Sequence, residues 1–297
     1  MRSALQRSLA SEGVTITAEI MPPRGADPAQ ALKKAQKLAS HVHALNVTDG
    51  SRAVMRMSSL ALCKLLLEAN LDPVLQIACR DRNRIALQAD LLGANALGIR
   101  NLLCLTGDPV RIGDQPDSRQ VNDFGSIRLL KQVAALNRGE DPVSGKLPDG
   151  ATNLFAGAAA DPNSRSLSGL LRRLEQKRDA GACFLQTQMV MEPKVLERFC
   201  NEVANPLELP VLAGVFLLKS AKNAMFINRV VPGACIPNSI ISRLENSANP
   251  ANEGIAIAAE QVKSFLGISK GVHVMAIKAE ERIIEILNQA GVSSLPQ

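Results

Sequence analysis

The sequence predicts an α/β fold of the (β/α)8 TIM-barrel type, and two observations carry this prediction. Eight short apolar segments recur along the 297 residues, and amphipathic helical segments fill the gaps between them. The apolar segments are near-continuous rather than alternating, which is typical of parallel strands buried on both faces. A doubly wound open sheet is the alternative architecture. Because no repeat or low-complexity linker divides the chain, we expect residues 1–297 to form a single domain.

The individual elements follow from the position of each apolar or amphipathic run. The predicted strands are 14–20, 44–49, 73–79, 97–106, 153–159, 183–190, 210–216 and 272–277. The predicted helices are 28–40, 56–70, 82–93, 125–136, 166–180, 194–203, 221–229, 253–266 and 278–289. Pro28 is expected at the first helical position after Asp27, and Gly181 is expected to end the helix before the sixth strand. Two Gly-, Pro- and Asp-rich excursions remain, and we expect 111–124 to be a mobile active-site loop and 138–153 a surface loop.

Composition and charge exclude several classes of partner. The chain has seven Phe but no Trp or Tyr, which argues against a binding face built on aromatic stacking. The net charge is +6, but 34 basic residues are interspersed with 28 acidic ones, so we expect a solvated mixed surface rather than a nucleic-acid site. No apolar run is long enough to cross a bilayer, and the first residues lack the apolar stretch of a signal peptide. We therefore expect a cytoplasmic protein with no membrane or nucleic-acid partner.

The cysteines and histidines do not form a metal-binding pattern. The six cysteines are scattered, no pair has CxxC spacing, and only three His are present. We therefore expect no metal. Dinucleotide-binding GxGxxG and phosphate-loop motifs are also missing, which disfavours a Rossmann domain and a nucleoside triphosphatase.

In a barrel, chemistry gathers at the carboxyl ends of the strands. Glu19 stands inside an otherwise apolar strand, where burial raises the pKa of a carboxyl and makes it a candidate general acid. The alternative is a structural carboxylate paired with Arg24 or Arg52. Gln186 and Gln188 share one face of the sixth strand, so that one is a candidate ligand contact and the other a structural residue.

The fourth strand ends in the turn Thr106-Gly107-Asp108-Pro109. Glycine permits close approach of a ligand to the backbone, and Asp108 can accept hydrogen bonds or balance a positive charge. The same four residues also form an ordinary turn, so the pattern alone leaves a functional and a structural interpretation open.

Five segments together carry a resemblance to a known family. They are TAEIMPPRG at 17–25, NVTDGSRA at 46–53, CRDRNRIALQADLLGANALGIRNLLCLTGDP at 79–109, AGACFLQTQMVMEPKVLERF at 180–199 and AGVFLLKSAKNAMF at 213–226. Through these segments, taken in order, the chain resembles the methylenetetrahydrofolate reductase family, which consists of flavin-dependent (β/α)8 barrels of one-carbon metabolism. The resemblance is to the bacterial form with a single catalytic domain. The resemblance implies reduction of 5,10-methylenetetrahydrofolate to 5-methyltetrahydrofolate, in support of methionine biosynthesis or an acetyl-CoA-type pathway.

The resemblance also implies roles for individual residues. Glu19 would protonate the folate nitrogen as the imidazolidine ring opens, and Asp108 would stabilise the resulting 5-iminium cation near the flavin. Gln188 would hydrogen-bond the pterin ring, and Phe226 (or the neighbouring Ile227) would stack on the folate. The remaining contacts implied for the flavin are Thr48, Leu105, Gly107, Ala159 and Lys177.

The chain departs from the better-known branch of that family around the flavin. Gln76 stands where that branch has His, Thr106 replaces an Arg, and Asp161 and Arg165 replace a Tyr and a His. The resemblance places Gln76, Thr106 and Arg165 among the flavin contacts. We expect FAD as the cofactor, with FMN as the alternative because these changes surround the flavin. NADH or NADPH is the expected co-substrate. A homo-oligomer is expected, with an electron-transfer partner subunit as another source of electrons. Two rival functions stay open: a pterin-binding methyltransferase barrel acting with a corrinoid protein, and a non-catalytic flavin or folate subunit of an electron-transfer complex.

Overall fold

Eight parallel strands close into a barrel in the computed structural model, which describes residues 2–147, 149–231, 233–292 and 294. The strands are β1 (Thr15–Ile20), β2 (Ala44–Val47), β3 (Pro73–Ala78), β4 (Asn101–Leu105), β5 (Phe155–Ala160), β6 (Phe184–Met189), β7 (Val211–Phe216) and β8 (Gly271–Met275). Each strand pairs with its neighbours in chain order, and β8 pairs with β1 in the register Thr15↔Gly271. This closure confirms the barrel and excludes the open sheet. All eight predicted strands are present, with ends shifted by a few residues.

The helices pack outside the barrel and connect the strands. They are α1 (Ala4–Ala10), α2 (Ala29–Leu38), α3 (Ser59–Glu68), α4 (Arg84–Ala96), α5 (Ser126–Asn137), α6 (Leu167–Asp179), α7 (Pro193–Phe199), α8 (Ala221–Val230), α9 (Asn238–Glu245), α10 (Pro250–Phe265) and α11 (Ile283–Gln289). Helices α1 and α9 were not among the predicted helices. Helix α2 begins at Ala29, one residue after the expected Pro28, and the carboxylate of Asp27 accepts a hydrogen bond from the Ala29 N–H. Gly181, with a φ of +102°, ends α6 as predicted.

The lower half of the barrel interior is filled by apolar side chains. Leu103, Phe184 and Leu212 point inward, and α1 adds Leu5 and Leu9 across the amino ends of the strands. Gly157 makes room for the Phe184 ring, since a Cβ at position 157 would lie 2.2 Å from its Cζ. The amino end of the barrel interior is therefore closed by packing, and the interior opens toward the carboxyl ends of the strands, where the predicted site residues lie.

The loop after β4 is bonded to the loops beside it, and its mobility stays a prediction. Asp114 forms an ion pair with Arg24 at 2.6 Å and accepts a hydrogen bond from the Met55 N–H at 3.0 Å. The Val121 N–H donates to the carbonyl oxygen of Arg80 at 2.9 Å. These contacts join the loops after β1, β2, β3 and β4 into one side of the barrel mouth. The excursion at 138–153 contains a small antiparallel hairpin, in which Glu140–Asp141 pairs with Gly145–Lys146.

Within the described part of the chain, no helix combines the length and the apolar character needed to cross a membrane.

Candidate functional site

A cavity of about 450 Å³ opens at the carboxyl ends of the strands, and we call it the mouth cavity. Six of the residues predicted for the site line it: Glu19, Gln76, Leu105, Ala159, Lys177 and Gln188. The structure thus brings together side chains from β1, β3, β4, β5, β6 and α6 that are far apart in the sequence. The other lining residues are Leu103, Ala160, Asp161, Ser164, Leu170, Arg173, Gln186, Thr187, Gly233 and Met275.

Glu19 lies on the inner face of β1 and is partly accessible from the mouth cavity. Burial and, to a smaller extent, the nearby Glu280 carboxylate raise the pKa of its carboxyl to about 7 against the opposing effect of Arg56. No described residue donates a hydrogen bond to its carboxyl oxygens. The alternative, a structural ion pair of Glu19 with Arg24 or Arg52, is wrong, because Arg24 binds Asp114 and the Arg52 guanidinium lies over Phe226. Glu19 is therefore a carboxyl that can hold a proton near neutral pH and deliver it into the cavity.

The two glutamines of β6 differ in their partners. Gln186 is buried, and its Oε1 accepts a hydrogen bond from Asn46 Nδ2 at 2.7 Å. The Oε1 of Gln188 instead accepts from the Met189 N–H at 2.9 Å. Because that bond fixes the orientation of the amide, the NH₂ group of Gln188 is left without a partner among the described residues and is available to a ligand in the cavity.

Lys177 joins the mouth cavity to a second, basic groove. Its ammonium donates to the carbonyl oxygen of Ala159 at 2.7 Å, and burial together with Arg173 lowers its pKa to about 8. Arg173 and Lys177 line both spaces. The groove measures about 750 Å³ and is lined by Thr106, Asn122, Asp123, Gly125, Ser126, Ile127, Arg128, Gly169, Arg172, Arg173, Gln176 and Lys177.

The groove has the features of an anion site. It contains the first turn of α5, which has no side-chain cap and no acidic residue. Unsatisfied N–H groups and the positive end of the helix dipole favour an anion there. Arg128, Arg172 and Arg173 add positive charge, whereas the Asp123 carboxylate is engaged by Arg84. The predicted residue Thr106 therefore faces this groove rather than the mouth cavity.

The turn after β4 is built on close packing. Gly107 has a φ of +92°, and a Cβ at this position would lie 2.8 Å from the Cβ of Arg80. The carboxylate of Asp108 accepts a hydrogen bond from the Arg52 N–H at 2.8 Å. Arg52 itself has a φ of +56°, which is strained for a non-glycine residue. Asp108 is thus bonded to the loop after β2, and it lines neither the mouth cavity nor the basic groove.

Thr48 lies just beyond the end of β2 and is buried, and its hydroxyl oxygen has no hydrogen-bond partner among the described residues. An unsatisfied buried hydroxyl costs free energy, so a ligand atom is a reasonable partner for it.

Five predicted residues line neither cavity, namely Thr48, Gly107, Asp108, Arg165 and Phe226. Arg165 is solvent-exposed and lines neither space. Phe226 on α8 is 42% exposed at the rim, with the Arg52 and Arg229 guanidinium carbons 6.0 and 5.6 Å from its ring centroid. An exposed aromatic ring at the mouth is suited to cover a bound ligand, but it does not line the cavity itself.

The sequence did not single out Arg173, Glu280 or Arg56 for the site. Arg173 was detectable, because it precedes Lys177 by four residues and so shares its face of α6. Glu280 and Arg56 act on the pKa of Glu19 through space, and no spacing in the sequence indicates that proximity. Among the described residues, no group of three His, Cys, Asp or Glu side chains is placed to hold a metal ion.

The architecture and the site together define a (β/α)8 barrel with a carboxyl of raised pKa in its mouth cavity and a basic groove beside that cavity. The chain belongs to the methylenetetrahydrofolate reductase family, whose model matches residues 4–291. It is 24% identical to the 5,10-methylenetetrahydrofolate reductase of Pectobacterium carotovorum, and the match covers 98% of this chain and 95% of that protein.

Longer relatives share only this barrel region. Methylenetetrahydrofolate reductase 2 of Schizosaccharomyces pombe is 25% identical over 83% of this chain, and the chain spans 40% of that protein. The chain likewise spans 35% of a probable NADPH-dependent reductase of Caenorhabditis elegans. A solved structure from Clostridium thermocellum, described as binding two copies of 5-methyl-5,6,7,8-tetrahydrofolic acid, superposes with a TM-score of 0.65. It is 14% identical and covers 96% of both chains, so it supports the fold.

Proposed function

We propose that this chain catalyses the flavin-dependent reduction of 5,10-methylenetetrahydrofolate to 5-methyltetrahydrofolate, with the barrel as its single catalytic domain. The observation that carries the proposal is the environment of Glu19: a carboxyl with a pKa of about 7, without a hydrogen-bond partner, on the wall of the mouth cavity. A general acid is most effective when its pKa lies near the working pH. Membership of the reductase family supports the same chemistry.

The residues around the two spaces fit a flavin. The basic groove offers helix N–H groups and three arginines for the phosphate portion, and Lys177 stands between groove and mouth. The unpartnered Thr48 hydroxyl and the wall formed by Gln76, Leu105 and Ala159 would contact the ring system. A flavin bound there supplies the hydride, and the protein supplies position and electrostatics. FAD is the expected flavin, and FMN is the alternative.

The reaction requires a proton and then a stabilised cation. Protonation of the folate nitrogen by Glu19 would open the five-membered ring and generate a 5-iminium cation on the substrate. Asp108, whose carboxylate accepts a hydrogen bond from the Arg52 N–H, would stabilise that positive charge. Two carboxyl groups in different environments can divide these roles.

Substrate recognition would involve Gln188 and Phe226. The free NH₂ group of Gln188 would donate to acceptor atoms of the pterin, and the exposed Phe226 ring would cover the more distal part of the folate. Arg80 and Arg82 would not contribute to binding, because internal ion pairs with Asp81 and Asp49 engage them.

The test begins with the colour and activity of the purified full chain. We expect a flavin absorbance band after purification or after addition of FAD, oxidation of NADH or NADPH with a quinone acceptor, and reduction of methylenetetrahydrofolate. FMN and reduced ferredoxin serve as comparisons that identify the cofactor and the electron donor.

The same experiment separates the rival functions. A protein that stays colourless and inactive with added flavin, but transfers a methyl group from 5-methyltetrahydrofolate to a corrinoid acceptor, would be a methyltransferase. A protein that binds flavin or folate and reduces neither would be a non-catalytic subunit.

A further inference from the structure

Strand β6 contains a bulge at the point where it enters the mouth cavity. Its ladder with β7 pairs Leu185 with Val211 and Gln186 with Leu212, but the next pair is Met189 with Gly214. Three residues of β6 therefore span the distance of two residues of β7. Bulges are rare between parallel strands, and they commonly redirect a side chain next to a functional site.

The hydroxyl of Thr187 holds this bulge in place. Thr187 is 4% exposed, and its Oγ1 accepts a hydrogen bond from the Gly214 N–H at 2.8 Å while donating to the carbonyl oxygen of Gln188 at 2.7 Å. A main-chain carbonyl would normally accept the Gly214 N–H across a regular ladder. The side chain thus satisfies the donor that the extra residue would otherwise leave unpaired.

The bulge also depends on the absence of a side chain at position 214. A Cβ on Gly214 would lie 2.7 Å from the carbonyl oxygen of Gln188 and 2.8 Å from that of Thr187. The two backbones can approach only because position 214 is glycine.

The consequence of the bulge is the direction of the Gln188 side chain. Gln186, Thr187 and Gln188 all reach the mouth cavity, whereas Met189 turns into the apolar cluster that includes Leu218. The Met189 N–H then lies where it can donate to the Oε1 of Gln188, and this bond turns the NH₂ group toward the cavity. A regular strand would place the Met189 N–H in the ladder instead.

We propose that Thr187 is a positioning residue for substrate recognition: its hydroxyl and Gly214 maintain the β6 bulge that fixes the Gln188 amide as a hydrogen-bond donor to the pterin. This inference rests on the proposed function, since it assigns the cavity to a folate. Thr187 acts through Gln188 and makes no contact with the reacting atoms.

The test uses Thr187→Val, which keeps the shape of the side chain and removes the hydroxyl. We expect the KM for methylenetetrahydrofolate to rise by about tenfold, with a loss of less than about threefold in kcat, because the lost orientation weakens binding more than the chemical step. Thr187→Ser retains the hydroxyl and should restore the KM to within about threefold of the wild type.

Two further sets of variants separate positioning from a general structural effect. Thr152→Val removes another buried hydroxyl, which bonds Asn137 Oδ1 at 2.7 Å near the amino end of the barrel, and should leave the KM unchanged. In a Gln188→Leu background, Thr187→Val should raise the KM by less than about twofold, because Thr187 affects binding through the Gln188 amide, which this background lacks. Thr187→Ala provides the same comparison if the valine variant does not fold.

The outcomes are distinguishable. An active wild type with an unchanged KM in Thr187→Val and Thr187→Ala overturns the positioning role. A tenfold effect that persists without Gln188 overturns it as well, since Thr187 would then act by another route. A wild type that neither binds nor reduces the folate overturns the proposed function, and the inference with it.

Discussion

Two partly buried carboxyl groups lie at opposite ends of the barrel and differ in what surrounds their oxygens. Asp72, at the amino end, accepts hydrogen bonds from the Leu5 N–H and from Asn101 Nδ2, both at 2.9 Å. Glu19, at the carboxyl end, accepts none from the described residues and faces the mouth cavity. Burial raises the pKa of both groups. A raised pKa therefore does not separate the two carboxyls, and the unused hydrogen-bonding capacity of Glu19 is what makes it the candidate for function.

The same difference in hydrogen bonding explains why, of the cavities at the two ends of the barrel, only the one at the carboxyl end is assigned to chemistry. A space of about 620 Å³ at the amino end includes Asp72 and His43. There the Nδ1 of His43 accepts from the Ile16 N–H, and the Asp72 carboxylate anchors the start of α1. These groups have structural partners, so we assign the amino end to stability, whereas the proposed binding and catalysis lie at the carboxyl end.

The largest expected effect comes from Glu19→Gln. It removes the proton donor and keeps the size of the side chain, so folate reduction should fall by about 10³-fold, within the range for general acids. Reduction of the flavin by NADH or NADPH should persist, and stopped-flow measurement of the two half-reactions checks this. Equal loss in both half-reactions would remove Glu19 from the role of proton donor.

At the opposite end, Leu5→Ala tests the closure of the barrel by α1. Leu5 is completely buried in the lower interior, so the cavity left by alanine should lower the free energy of unfolding by about 3 kcal/mol. Urea denaturation gives this value. The KM for folate should not change, and a change in KM would show that the two ends of the barrel are coupled.

Asp72→Asn should lower the free energy of unfolding by less than Leu5→Ala does. The variant replaces one acceptor oxygen with an NH₂ group that faces a donor, so we expect a loss of about 1–2 kcal/mol of stability. The matched control is Glu19→Gln at pH 8, which should be no less stable than the wild type. If Asp72→Asn reduced turnover while stability stayed constant, the division between the two ends would be incorrect.

The pH dependence provides the mildest test of the comparison. Because Glu19 must be protonated to act, folate reduction should decline by about tenfold per pH unit above pH 7, and Glu19→Gln should lack this dependence. The contribution of Glu19 to the free energy of unfolding also decreases as the pH rises. A carboxyl whose folded-state pKa is raised binds more protons when folded, so its contribution is lost as the pH rises from about 4.5 through 7. Thermal unfolding of the wild type and Glu19→Gln across this range measures the difference.

The order of the strands and helices was predictable because each barrel strand is a continuous apolar run buried on both faces. Helix α1 was missed because it is only seven residues long, and its stability comes from the lower interior and the Asp72 carboxylate rather than from its own periodicity. Helix α9 was missed for a similar reason, since its eight residues follow α8 after a short connection.

The candidate site was predictable as a set of residues at strand ends but not as a set of interactions. The phase of β6 placed Gln186 and Gln188 on one face, and the structure gives Gln186 a buried partner in Asn46 while Gln188 keeps its NH₂ group free. The bulge that produces this difference involves Gly214, which lies on another strand. No local pattern in the sequence indicates it.

The sequence by itself determined the barrel, the carboxyl-end position of Glu19 and the family to which the chain belongs, because periodicity and short motifs are local properties. Only the tertiary structure decided that Glu19 has no partner, that Arg24 and Arg52 are engaged elsewhere, and that a basic groove joins the mouth through Lys177. The physical reason is that burial, charge and hydrogen bonding depend on which distant side chains meet when β8 closes against β1.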